Sequence, residues 1–147
     1  MKKNLLFVIA LLFSTGLMYG QADKVLGIWL TEKKGSQVRV FKATDGKYYG
    51  KVEWLEDERE RLDTNNPDAN LSKQKVFGSF ILKGFTYNES KKQWEGGTVY
   101  DPDNGKTYTA YMWFEEDLSQ LHLKGYVMGM KFVGRQTLWT RENELRK

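Results

Sequence analysis

Apolar and polar residues alternate with a period of two along most of the chain after residue 26, and turn residues interrupt the alternation at short intervals. Such alternation indicates β-strands that place one face in a core. Asp45-Gly46 is one of the interruptions, and it is typical of a tight hairpin because Asp-Gly tolerates positive φ. The pattern predicts eight strands: Gly27–Thr31, Val38–Ala43, Lys47–Leu55, Phe77–Tyr87, Gln93–Asp101, Lys106–Glu115, Leu118–Val127 and Val133–Arg141.

These strands predict an all-β fold, because short hairpins make sequence neighbours antiparallel. An open sheet of eight strands would expose two edges, and closure removes them. We therefore expect an eight-stranded up-and-down antiparallel barrel, with a two-sheet sandwich as the alternative. The alternation puts Val52 and Trp54 on one face of their strand, and Gly96-Gly97 predicts a bulge.

The segment Glu56–Lys75 departs from this pattern, because charges of both signs dominate it and apolar residues are few. We expect a helical turn over Glu56–Leu62, followed by a loop in which Asn66-Pro67-Asp68 starts a turn. A connection of about 20 residues without strands is unusual in a compact domain and is often functional. It is a candidate lid or partner-binding loop, and a solvated connection is the alternative.

The first residues have the order of a secretory signal peptide. Lys2 and Lys3 precede an apolar run over 5–13, and small residues follow, with Gly20 and Ala22 suited to the −3 and −1 positions. We expect cleavage after Ala22, a single domain over 23–147, and a periplasmic or secreted location. The apolar run is too short for a membrane anchor, which needs about 20 residues, and without a second such run we expect no stable membrane insertion.

Composition narrows the function classes. The chain has 147 residues, a formal charge of +4, one histidine and no cysteine. Without the signal segment the charge falls to +2, and mixed signs along the chain disfavour nucleic-acid binding. A hairpin at Asp101–Gly105 resembles a calcium loop, but its twelfth position is Met112 instead of glutamate. We expect no metal, no cofactor and no enzymatic activity, since no two carboxylates stand out as a catalytic pair.

Two short motifs resemble the lipocalin and wider calycin pattern, in which an early Gly-x-Trp lies beneath a late arginine. They are Gly27-Ile28-Trp29 in the first strand and Trp139-Thr140-Arg141 in the last. The resemblance implies that Gly27, Trp29, Trp139 and Arg141 close one end of the barrel. A guanidinium is suited to this role because it stacks on an indole while donating to backbone carbonyls.

A larger set of motifs resembles the bacterial secreted family known as domain of unknown function 2147. The resemblance implies a signal peptide, export and a small lipocalin-like barrel, but it supplies no activity. Some members carry a cysteine near the third strand, which this chain lacks. The motifs, in chain order, are Gly27-Ile28-Trp29-Leu30, Gly50-Lys51-Val52-Glu53-Trp54-Leu55, Asn66-Pro67-Asp68, Gly78-x-Phe80-Ile81-Leu82-x-Gly84-Phe85, Trp94-x-Gly96-Gly97-x-Val99-Tyr100-Asp101-Pro102, Asp103-Asn104-Gly105-Lys106-Thr107-Tyr108, Leu123-x-Gly125-Tyr126 and Gly134-Arg135-x-x-x-Trp139-x-Arg141.

The candidate ligand site is built from aromatic residues and one arginine, because barrel pockets use aromatic rings to hold apolar or planar ligands. Arg135 would bind a ligand carboxylate or pair with an acidic residue. We therefore expect a small apolar or amphipathic ligand at the barrel mouth. The alternative is a filled barrel whose surface binds an envelope protein, with the same aromatics serving only as packing. The candidates are Trp54, Trp94, Tyr100, Tyr108, Trp113 and Arg135.

Overall fold

Eight antiparallel strands form a closed barrel in the structure, a computed structural model that describes residues 20–57, 59–127, 130 and 133–147. The strands are β1 (Gly27–Leu30), β2 (Ser36–Lys42), β3 (Tyr48–Leu55), β4 (Phe80–Asn88), β5 (Gln93–Asp101), β6 (Lys106–Trp113), β7 (Gln120–Tyr126) and β8 (Gly134–Glu142). Each strand pairs with the next, and β1 pairs with β8 to close the sheet. The predicted up-and-down barrel is confirmed, and the sandwich alternative is wrong.

The barrel has two different ends, which the connections define. One end carries the β2–β3, β4–β5 and β6–β7 connections together with the residues that precede β1, and we call it the closed end. The opposite end carries the β1–β2, β3–β4, β5–β6 and β7–β8 connections, and we call it the open end. Within the described residues, no helix is long and apolar enough to cross a membrane. Most of the predicted leader, residues 1–19, lies outside the described part of the chain.

Aromatic side chains fill the closed half of the barrel. Trp29 and Trp94 are fully buried there. The ring of Phe114 lies between them, with its centroid 5.8 Å from that of Trp29 and 5.5 Å from that of Trp94. Tyr48 meets Trp94 edge-on at 6.5 Å. Rings at these separations and angles are in favourable contact, so the closed half is a packed core.

Arg141 covers this core from β8. Its guanidinium lies 4.2 Å above the indole of Trp29 and donates to the carbonyl oxygens of Leu26 at 2.8 Å and Leu118 at 3.1 Å. Gly27 makes the close approach feasible, since a Cβ there would lie 2.9 Å from Arg141 Nη1 and the backbone φ is +131°. Only glycine adopts that conformation readily. The arginine thus joins β8, the segment before β1 and the β6–β7 connection.

Residues immediately before β1 also contact the closed end. Trp94 Nε1 donates to the carbonyl oxygen of Ala22 at 2.9 Å, and the Tyr87 hydroxyl donates to Gln21 Oε1 at 3.3 Å. The Tyr48 hydroxyl donates to Asp23 Oδ1 at 2.7 Å. Burial and this hydrogen bond raise the pKa of Tyr48. The predicted cleavage after Ala22 would remove the acceptor of the Trp94 indole.

We expect a chain that begins at Ala22 to be more stable than one that begins at Asp23. A buried hydrogen bond contributes about 1 kcal/mol, which corresponds to roughly 4 °C in Tm for a domain of this size. Thermal unfolding of the two chains measures the difference. As a control, Trp94→Phe removes the same donor, so the truncation should then have little further effect. Equal melting temperatures for the two unmodified chains would contradict the prediction.

A β-bulge in β3 changes the face of Trp54. Val52 pairs with Val38, whereas Trp54 pairs with Gln37. Glu53, which lies between them in β3, therefore has no opposing residue in β2. The alternation therefore shifts by one position, and the prediction that Trp54 shares a face with Val52 is wrong. Trp54 lies outside the barrel and donates to the carbonyl oxygen of Lys147 at 3.3 Å. The predicted bulge at Gly96-Gly97 is confirmed by a register shift between Trp94 and Gly97.

The β3–β4 connection contains a short 3-10 helix at Leu71–Lys73. A short helix in the segment 56–75 is therefore confirmed, but it lies nearer to β4 than the predicted turn over Glu56–Leu62. The side chain of Asp68 explains the position, because its Oδ1 accepts from the backbone N–H groups of Asn70 at 2.8 Å and Leu71 at 3.1 Å. Aspartate is a favoured residue for satisfying the free N–H groups at the start of a helix. Residue 58 lies outside the described residues.

Candidate functional site

The open half of the barrel contains a cavity of about 560 Å³. Strand alternation positions its inner wall, since inward-facing residues of β3, β4, β5, β7 and β8 meet there, and the β3–β4 connection adds Val76. This wall is largely apolar, whereas the rim at the open end carries polar and charged side chains. The apolar part of the wall comprises Val52, Val76, Ile81, Val99, Leu123 and Trp139.

The β3–β4 connection forms one side of the cavity and is held against the β5–β6 turn. Tyr100 on β5 donates its hydroxyl to Asp63 Oδ1 at 2.7 Å, and Asn66 Nδ2 donates to Asp63 Oδ2 at 2.8 Å. Asp63 is only 5% exposed, and burial of a carboxylate is tolerated when its oxygens are hydrogen-bonded in this way. Burial and the bond to Asp63 raise the pKa of Tyr100. The hydroxyl therefore stays protonated and keeps donating at neutral pH.

A second set of contacts links the same connection to the β5–β6 turn. Asn65 Nδ2 donates to the carbonyl oxygens of Pro102 and Asp103, both at 3.1 Å. Arg61 Nη2 lies 2.9 Å from Asp103 Oδ1, and Lys33 Nζ lies 3.2 Å from Asp103 Oδ2. The hydrogen bond from Arg61 lowers the pKa of Asp103. The connection is thus a fixed wall of the cavity in this structure, joined to β5 and to the turn that follows it.

Three of the six candidate ligand residues line the cavity. Tyr100 and Tyr108 do so on β5 and β6, and Asn104 Nδ2 donates to the Tyr108 hydroxyl at 3.1 Å. Arg135 lines the rim, with its side chain 67% exposed and its Nη2 3.7 Å from Glu32 Oε2. The structure therefore places Arg135 beside an acidic residue at the surface and not in the apolar part of the cavity.

The other three candidates do not line the cavity. Trp94 belongs to the packed closed half, and Trp54 faces outward after the bulge in β3. Trp113 also lies on the outer face, where its ring stacks on Tyr111 at 5.2 Å and on His122 at 5.1 Å. Of the four residues predicted to close the barrel, Gly27, Trp29 and Arg141 meet at the closed end as described above. Trp139 is buried and lines the base of the cavity.

Sequence reasoning missed several residues that shape the cavity. Val76 is fully buried although it lies in a polar segment, and Arg61 and Asp63 come from the same segment. Thr137 also lines the wall, and its Oγ1 is buried without a hydrogen-bond partner among the described residues. The one available signal was an isolated apolar pair, Val76-Phe77, just before the next strand. Over the residues that the structure describes, no group of three or more potential metal ligands comes together.

Comparison with solved structures agrees with this architecture. The chain is similar to protein HP1028 from Helicobacter pylori, whose structure is described as belonging to the lipocalin family. The two share 22% sequence identity, with a TM-score of 0.71 over 82% of this chain and 84% of the other. At this identity the similarity establishes a shared fold. A comparison with curated proteins finds no significant relative.

The sequence also matches a bacterial family model over nearly all of the barrel. The matched residues, 27–141, begin at the first residue of β1 and end at the arginine that covers the closed end. The family resemblance stated from the motifs is therefore confirmed. The chain belongs to the family described as "Uncharacterized protein conserved in bacteria (DUF2147)".

Proposed function

We propose that the protein is an exported, non-enzymatic barrel that binds one small apolar or amphipathic molecule in the cavity at its open end. Binding would be non-covalent and would need no cofactor. Eight-stranded barrels are just wide enough to be filled by side chains or to hold one small ligand. We infer the second case for this protein.

The observation that carries the proposal is the contrast between the two halves of the barrel. The closed half is packed with aromatic rings, whereas the open half encloses about 560 Å³. Pockets for small molecules are usually of this size, with apolar walls and a few polar groups. A barrel that served only as a structural module would gain stability by filling this space, because an apolar void forfeits packing.

The wall also offers a polar group that a ligand could satisfy. Thr137 Oγ1 is buried and unpaired in the described part of the chain. Buried hydroxyls are nearly always hydrogen-bonded in proteins, and an unpaired one calls for an explanation. A bound molecule with a polar atom at this depth would supply the partner after a rotation of the threonine side chain.

Export is the second part of the proposal, and it rests on the first 22 residues. Their basic start, apolar run and small residues have the order of a cleaved signal. Fractionation of cells that express the full chain, with mass determination of the processed protein, tests this part. Protein found in the cytoplasm with its first residues intact would overturn it.

Binding is tested by filling the cavity. Val99→Trp with Thr137→Phe adds bulk on the inner face of β5 and β8, and we expect it to weaken binding of the neutral probe N-phenyl-1-naphthylamine at least tenfold, about 1.4 kcal/mol. Titration followed by probe fluorescence measures the affinity, and circular dichroism checks that the barrel folds.

The matched control shifts the same two substitutions by one residue to the outer face. Thr98→Trp with Gln136→Phe adds equal bulk there, since neighbouring strand residues point to opposite faces. We expect it to bind the probe like the unmodified protein. Equal loss of affinity in both variants, or no loss in the first, would overturn the cavity as the binding site.

A further inference from the structure

The charged residues around the cavity are unlike the chain as a whole. The full sequence carries a net charge of +4, yet the residues that line the cavity include more acidic than basic side chains. The acidic ones are Glu32, Glu56, Asp57, Asp101 and Asp103, and the basic ones are Lys33, Arg61 and Arg135. The mouth is therefore locally negative on a positively charged protein. This balance is that of the residues that the structure describes.

All three basic side chains at the mouth already have acidic partners. Lys33 and Arg61 both contact Asp103, and Arg135 lies near Glu32. By contrast, within the described residues no basic nitrogen lies within 4.0 Å of a carboxylate oxygen of Glu56, Asp57 or Asp101. A ligand carboxylate would thus enter a negative region in which each of these three basic side chains already lies beside an acidic residue. A ligand cation would meet Glu56 and Asp57, which form no ion pair within 4.0 Å among the described residues, although Glu56 also interacts electrostatically with Arg146. Asp101 is less available, because its Oδ1 accepts from the backbone N–H of Asp103 at 2.9 Å.

Aromatic rings line the same space. Tyr100, Tyr108, Tyr126 and Trp139 all contribute to the cavity. Aromatic faces attract ammonium groups through the ring quadrupole, and the attraction is greater where water is excluded. Rings combined with rim carboxylates that form no close ion pair, beside an apolar pocket, thus favour a molecule with an apolar body and a positively charged head.

We propose that the cavity selects amphiphiles with a cationic ammonium head group over those with a carboxylate. This inference rests on the proposed function and adds the chemical class of the ligand. The apolar body lies against Val52, Ile81 and Leu123, and the head group lies at the rim beside Glu56 and Asp57. Arg135 does not serve as a carboxylate receptor, because it is exposed and lies beside Glu32.

Three probes with the same alkyl chain test the proposal. Decyltrimethylammonium, decanoate and 1-decanol, each below the concentration at which it aggregates, are titrated into the purified protein by calorimetry. We expect the ammonium probe to bind at least about tenfold more tightly than decanoate, with decanol between them. Raising the salt concentration should weaken only the ammonium complex, because salt screens exposed charges.

Substitutions that remove charge without changing shape test whether the rim carboxylates produce the preference for the ammonium probe. Glu56→Gln with Asp57→Asn keeps the shape of the rim, and we expect about fivefold weaker binding of the ammonium probe with decanol unchanged. The control, Glu89→Gln with Glu116→Gln, removes the same charge from exposed positions at the closed end. It should leave all three affinities unchanged.

The outcomes separate the inference from the proposed function. Tightest binding of decanoate, or equal binding of the ammonium probe and decanol, would overturn the charge preference and leave the binding function standing. Failure of all three probes and of the neutral naphthylamine to bind would overturn both. An equal effect of the rim variant and the closed-end control would show that net charge, not the rim, produces the preference, and would also overturn the inference.

Discussion

Replacing Arg141 with alanine is expected to lower the free energy of unfolding by about 3 kcal/mol. The substitution removes a cation–π contact with Trp29, worth about 0.5–2 kcal/mol, and charge-assisted hydrogen bonds to backbone carbonyls. It also leaves the carbonyl of Leu26 without this donor at the edge of the core. Urea unfolding measures the change, and we expect Tm to fall by roughly 10 °C.

Arg135 provides the matched control, because it is an arginine on the same strand and the same face. Its side chain is 67% exposed and its ion pair with Glu32 is long, so Arg135→Ala should change stability by less than about 0.5 kcal/mol. Arg141→Lys should fall between the two, since lysine keeps the charge but not the planar group that stacks on the indole. If Arg141→Ala were as stable as Arg135→Ala, Arg141 would not be what holds the closed end together.

The strand pattern was predictable because each hairpin has local causes. Alternating apolar and polar residues flank Asp45-Gly46 on both sides, and Gly46 adopts a φ of +79° in the structure. The position of Trp54 was not predictable in the same way. A bulge in β3 depends on how that strand pairs with β2, and the residues around Glu53 include no glycine that marks it. One unpaired residue is enough to move every later side chain to the other face.

The cavity was less predictable than the fold. Inward-facing residues alternate in the same way in the filled half and in the hollow half of the barrel. What distinguishes the halves is that Phe114 and the residues before β1 pack at the closed end. Among the described residues of the β3–β4 connection, by contrast, Val76 is the one buried apolar side chain. The polar composition of that connection predicted a surface loop. It did not reveal that Asp63 would be buried under Tyr100, because the contact joins residues 37 positions apart.

Replacing Gly105 with valine is expected to detach the β3–β4 connection from the β5–β6 turn. The residue has a φ of +70°, and a Cβ there would lie 1.9 Å from the carbonyl oxygen of Asn65. Because that atom belongs to the backbone, the connection itself must move away and lose the two hydrogen bonds of the Asn65 side chain. We expect a loss of about 3 kcal/mol, combining backbone strain with broken contacts. Trypsin should also cut the connection at Arg59 or Arg61 at least about tenfold faster, since it becomes accessible without global unfolding.

Gly46→Val is a control that introduces backbone strain at a positive φ without a steric contact to another segment. Gly46 has a similar φ of +79° in the β2–β3 turn, but nothing lies within 4 Å of a Cβ built there. It should therefore show only the strain, about 1–2 kcal/mol, with no faster cleavage of the β3–β4 connection. Since that connection supplies Arg61 and Val76 to the cavity wall, Gly105→Val should also weaken binding of the naphthylamine probe, whereas Gly46→Val should not. Equal cleavage and equal affinity in the two variants would mean that the contact between Asn65 and the turn neither holds the connection in place nor shapes the cavity.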